Sequence, residues 1–122
     1  MIIDPVDVML FMPEGYFAEM HGHAQRLGLS DAALFTGCWQ AARKRITSDP
    51  ASPRLTSSPS GQVYVAMATI VRDDVAAFAE GQDRSMSWAV LKAWEMARAE
   101  VRALDTAEQF HAWVSVSAER AS

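Results

Sequence analysis

Cysteine is almost missing: 122 residues contain one, Cys38. A single thiol closes no intramolecular disulfide and builds no thiolate metal cage. Packing must therefore hold the fold, and a reducing cytoplasm is the expected setting. Positive charge is also scarce. Eleven Lys and Arg against fifteen Asp and Glu leave a net charge of −4, which excludes a general attraction to nucleic acid or anionic membrane. Any DNA binding must come from local patches working against the average field. The opening stretch MIIDPVDVMLFMPEG has no basic n-region and is interrupted by Asp4, Pro5 and Asp7. It reads as neither signal peptide nor membrane span. Phosphate loop, nucleophile elbow and zinc spacing are missing as well, so neither an enzyme nor a cofactor is expected.

Apolar material is plentiful. Half of the residues are hydrophobic, a fifth are charged, and four Trp and seven Met can fill a core. One compact domain of mostly helical α+β character is expected.

The most polar and least periodic stretch, residues 47–61 (TSDPASPRLTSSPSG), reads as a linker. The same order of elements lies on either side. Before it, Val6 to Met12 has strand character, with Val6, Val8, Leu10 and Met12 on one face and Asp7, Met9 and Phe11 on the other. Pro13 can open a helix carrying Tyr16, Met20, Ala24 and Leu27 at helical spacing, and Gly28 stops it. Ser30 is a plausible N-cap for a second helix with Ala33, Leu34, Cys38, Ala41 and Ala42 on its apolar side. Arg43, Lys44 and Arg45 close that helix at the end that favours cations.

After the linker, Gln62 to Val71 is again a strand candidate, with Val63, Val65, Met67, Thr69 and Val71 on one side and Gln62, Tyr64, Ala66, Ala68 and Ile70 on the other. Asp73 or Asp74 is expected to cap a short helix bearing Val75, Phe78 and Ala79, ended by Gly81. Ser85 or Ser87 then starts a helix with Val90, Leu91, Trp94, Ala97 and Val101 along one side. At the second helices the halves align with an offset of 55: Ser30 with Ser85, Trp39 with Trp94, Ala42 with Ala97, Arg43 with Arg98, Ile46 with Val101. At the strands the alignment of Met12 with Val71 and Glu14 with Asp73 gives an offset of 59. The difference is about one helical turn, assigned to the first helix. Residues 1–46 and 62–103 are thus two repeats. Residues 104–122 are a packing extension in which Thr106 and Gln109 form a capping box ahead of Phe110, Trp113 and Val114.

Strand, helix, glycine-containing turn and Ser-capped helix is the pattern of the ribbon-helix-helix family of the Arc/MetJ type. VYVAMATIVRDDVAAFAEGQDRSMSWAVLKAWEMA resembles it more closely, and VDVMLFMPEGYFAEMHGHAQRLGLSDAALFTGCWQAA more loosely. The resemblance implies two ribbon-helix-helix repeats in one chain, forming an intramolecular pseudo-dimer with a two-stranded antiparallel ribbon. Tandem members occur among conjugation and relaxosome accessory proteins. By position, the resemblance implies a double-stranded DNA partner read by Asp7, Met9, Phe11, Gln62, Tyr64, Ala66 and Ala68. Phosphates would be held at the turns of Ser30 and Ser85, with Arg84 beside the second and Arg43, Lys44 and Arg45 as the densest basic spot. A DNA-binding accessory or regulatory protein for plasmid transfer or maintenance is the function this implies. Base readout calls for Arg, Lys, Asn or Gln, and of these positions only Gln62 qualifies. A ribbon carrying Met9, Phe11 and Tyr64 suits a protein partner or a further copy of the chain as well. A protein-interaction module or inhibitor on the same scaffold is the alternative.

Other residues read as structural. His21 and His23 point roughly 200° apart on a helix and cannot share a metal. Cys38 lies on an apolar face as a small core residue, and Trp39 and Trp94 are expected to pack in the core.

Overall fold

The computed structural model describes residues 5–48 and 60–120. Most of the linker expected at 47–61 therefore lies outside the described residues. The elements run β1 (Pro5–Pro13), α1 (Glu14–Leu27), α2 (Asp31–Ser48), β2 (Ser60–Ala68), α3 (Thr69–Gly81), α4 (Met86–Arg102) and α5 (Ala107–Arg120). The two strands form an antiparallel two-stranded sheet, and the architecture is α+β and mostly helical. None of the described helices is long and apolar enough to cross a membrane.

Alternation along each strand decides its faces. Val8, Leu10 and Met12 of β1 and Val65 and Met67 of β2 are buried beneath the sheet. Two strands alone cannot cover such a face, so the helices back it. Met20, Ala24 and Leu27 of α1, Val71, Val75 and Phe78 of α3, and the apolar sides of α2 and α4 close one continuous core. α2 and α4 pack against each other. Their buried faces are rich in alanine, with Ala41, Ala42, Ala89, Ala93 and Ala97, and small side chains let two backbones approach closely.

Helix ends follow local chemistry. The Ser30 hydroxyl accepts from the Ala33 amide at 3.1 Å, and the Ser85 hydroxyl from the Trp88 amide at 3.1 Å, so both expected N-caps are made. Gly28 ends α1 at φ 73, with the Leu29 amide donating to the Ala24 carbonyl at 2.8 Å. The Thr106 hydroxyl accepts from the Gln109 amide at 3.0 Å, and the Gln109 side chain accepts from the Asp105 amide at 2.7 Å. This closes a capping box one residue wider than the usual form.

Three expectations are corrected. Pro13 does not open α1 but ends β1, paired with Ser60. β2 stops at Ala68 rather than Val71: α3 begins at Thr69, and Val71 and Val75 are buried at helical spacing in it. Asp73 and Asp74 cap nothing, because α3 begins at Thr69 after an N-cap at Ala68 and both carboxylates lie inside it. Gly81 ends α3 as its last residue, as expected, while the left-handed residue of the turn that follows is Asp83 at φ 56, a conformation that Asp tolerates better than most residues.

These shifts remove the supposed extra turn. Pro5 to Ser60, Glu14 to Thr69 and Asp31 to Met86 are each separated by 55 positions, as are the left-handed Gly28 and Asp83. Strands, first helices and second helices share one offset. Within the sheet, Met9 pairs with Tyr64, the residue 55 positions further on.

α5 breaks this equivalence. It packs on α2 of the first half, where Phe110 is 1% exposed and lies over Gly37. A Cβ at Gly37 would come within 2.5 Å of the Phe110 ring. Gly37→Leu is accordingly expected to lower the urea midpoint by the equivalent of about 1–3 kcal/mol through overpacking. An unchanged midpoint would show that α5 does not seat there.

Candidate functional site

The outer face of the ribbon presents Asp7, Met9 and Phe11 from β1 and Gln62, Tyr64 and Ala66 from β2. Pairing places Asp7 beside Ala66, Met9 beside Tyr64 and Phe11 beside Gln62. Met9, Phe11 and Tyr64 are 50%, 51% and 59% exposed, whereas Val8, Leu10, Met12, Val65 and Met67 of the opposite face are buried. The Gln62 amide donates to the Tyr64 hydroxyl at 3.1 Å. Asp7 is the only charged residue in either strand. Ala68 leaves the expected set: it is buried, because the chain turns there into α3.

The two helix starts beside the ribbon differ. The first turn of α2 contains Asp31, whose carboxylate meets His21 Nδ1 at 2.9 Å. The first turn of α4 contains no acidic residue. Arg84 there lies over the Trp88 ring at 5.8 Å, while the Ser87 hydroxyl accepts from the Phe11 amide at 2.9 Å and so ties α4 to the ribbon edge.

The basic spot at the end of α2 is spent on internal partners. The Arg43 guanidinium donates to the Asp74 carboxylate, and Arg45 pairs with Glu100 at 3.4 Å and donates to the Met96 carbonyl at 3.2 Å. The side chain of Lys44 lies outside the described residues. Arg43 and Arg45 are therefore not brought together with Gln62, Tyr64, Ser30, Ser85 or Arg84 as one phosphate-binding surface.

The sequence reading missed the clasp that uses Arg43. Trp39 is buried, and its Nε1 donates to the Asp74 carboxylate of α3 at 2.8 Å, beside Arg43. Trp94 is buried equally well, and its Nε1 donates to the Glu19 carboxylate of α1 at 2.8 Å. Arg98 and Arg102 reach the same carboxylate at 3.4 and 2.8 Å. Glu19 and Asp74 are themselves 55 positions apart, so each second helix grips the first helix of the other half by an indole and a guanidinium. An indole N–H that must be buried needs an acceptor. The repeat offset carried this pairing, but an alignment with an extra turn puts Glu19 opposite the wrong residue.

The remaining candidates are structural. Burial pushes the Cys38 thiol up to about 12, which leaves it inert as a nucleophile. His23 packs against Trp94, and burial, aided by Arg26, lowers its pKa. His111 packs edge-on to Phe110.

Burial opposes the ionisation of Glu19, but hydrogen bonds from Arg102 and Trp94 and the charges of Arg98 and Arg102 outweigh it and lower its pKa below the ordinary 4.5. A depressed carboxyl stabilises the fold above its unfolded value, and that contribution is lost as pH falls through the folded value. Acid unfolding below about pH 4.5 is thus expected to carry a Glu19 component that Glu19→Gln removes. Asp74→Ala leaves the buried Trp39 N–H without its acceptor and is expected to cost about 1–3 kcal/mol by urea unfolding. Loss of neither would contradict the clasp. No protein-family model, curated protein or solved structure matches the chain.

Proposed function

We propose that this chain is a single-chain ribbon-helix-helix pseudo-dimer that works without catalysis, as a protein-interaction module docking through its ribbon face. One observation carries the choice of partner. Among the described residues the exposed large hydrophobics are Met9, Phe11, Tyr64, Ile70 and Val116, and all but Val116 lie on the ribbon or just beyond its end. A contiguous apolar surface rimmed by polar groups is characteristic of a protein contact. Asp7, the single ribbon charge, would repel a phosphate backbone.

The common offset, the pairing of Met9 with its own counterpart Tyr64 and the reciprocal tryptophan clasp support the pseudo-dimer. An isologous contact has this form: a residue at the axis meets its equivalent, and off-axis contacts occur twice. Phe11→Asp or Tyr64→Asp is expected to abolish capture of the partner while circular dichroism and the unfolding midpoint stay near wild type. Capture that survives both substitutions would remove the ribbon as the interface.

The start of α4 favours a second reading. A capped N-terminus whose first turn holds no acidic residue and which follows Arg84 is suited to a backbone phosphate. If double-stranded DNA is the partner, a mobility shift should weaken steeply with salt, and Arg84→Ala should reduce affinity at every sequence tested and flatten the salt slope by about one unit. No shift at low salt would leave the protein reading alone.

A further inference from the structure

We infer that the two halves of the chain are mutually selective partners, and that a second copy of the chain is therefore a partner it fits: by reciprocal exchange, the first half of each copy seats on the second half of the other. This rests on the pseudo-dimer and is independent of what the ribbon face binds. The contacts that define the fold cross from one half to the other. β1 pairs with β2. Trp39 and Arg43 reach Asp74, and Trp94, Arg98 and Arg102 reach Glu19. The Tyr16 hydroxyl donates to Glu95 at 3.1 Å, and Arg26 donates to the Val101 carbonyl at 3.1 Å, at the end of α4. A half supplied by another copy would find every one of these partners.

Two features select unlike halves over like ones. Arg45 and Glu100 are equivalent by the common offset and meet each other at 3.4 Å, so they straddle the pseudo-twofold. Pairing two first halves would set Arg45 against Arg45, and pairing two second halves would set Glu100 against Glu100. The second feature is steric. Phe110 follows the second half in sequence yet seats on Gly37 of the first. The counterpart of Gly37, 55 positions on, is the buried Lys92. A pair of second halves would bring Phe110 onto a lysine where it needs a bare backbone. Mismatch of this kind disfavours the wrong pairing while good contacts favour the right one.

Joined halves see each other at an effective concentration on the order of millimolar, so the closed monomer dominates in dilute solution. The test is to unfold and refold heavy-isotope-labelled and unlabelled full-length protein together at about that concentration and weigh the products by native mass spectrometry. Dimers containing one copy of each label are expected. Full-length Arg45→Glu and Glu100→Arg proteins, refolded together, give the second arm. Each alone carries like charges across the axis, whereas exchange restores an opposite pair on both sides. The mixed dimer is expected to exceed its two-to-one statistical share by roughly threefold or more. Wild-type protein that refolds only to monomer, or a charge-reversed mixture at the statistical ratio, would overturn the inference. Phe11→Asp protein is expected to exchange like wild type while losing its ribbon partner, so exchange and ribbon docking fail separately.

Discussion

A nine-residue strand with Val8, Leu10 and Met12 on one side has two needs that it cannot meet alone. Its backbone wants a ladder partner, and its apolar side wants more cover than two amphipathic helices supply. β2 answers both by lying antiparallel to β1 and adding Val65 and Met67 to the same buried layer. Everything else follows from that pairing. It sets α1 and α3 at opposite ends of the ribbon, brings α2 against α4, and leaves the other strand face with nothing over it.

The clasp locks this arrangement. Trp39 and Trp94 supply bulk to the core, but each also brings an N–H that must be satisfied. The carboxylates of Asp74 and Glu19 satisfy it from the opposite half, and arginines on the next turn of the same helices balance the charge. Burial and specificity are thereby joined, since an indole packed in the wrong register would lose its acceptor. The basic residues used in this way are paired with carboxylates of the fold. The outer face of the ribbon is largely apolar and carries one carboxylate, Asp7.

Much of this was legible in the residues. Strict alternation sorted each strand into its two sides, because side chains on a strand repeat with a period of two. Ser30 and Ser85 announced both helix starts, and the equivalence of Trp39 with Trp94 was visible from spacing. The errors have a common origin in local preference overruled by tertiary context. Thr69, Ile70 and Val71 are strand formers, yet the chain turns helical there, where Val71 can join Val75 in the core. Reading β2 too long by three residues then misaligned the first helices by one turn and hid Glu19 from Asp74. Alternation grouped Met9 with Phe11 and Gln62 with Tyr64, and the resemblance assigned that side outward. The role of Arg43 was missed because its partner lies in another helix of the other half.

The pairing of Met9 with Tyr64 carries the account, since it fixes the strand register, the outward face and the position of the proposed pseudo-twofold. The Phe11 amide points away from β2 to the Ser87 hydroxyl, so Phe11, Met9 and Asp7 occupy non-hydrogen-bonded sites of the ladder, where facing Cα atoms approach to about 4.5 Å. Nuclear Overhauser spectroscopy in dilute solution reads this directly. Strong Hα–Hα cross-peaks are expected for Met9 with Tyr64, Asp7 with Ala66 and Phe11 with Gln62. Cross-peaks displaced by even one residue, or none between the strands, would contradict the register and with it the ribbon face and the axis.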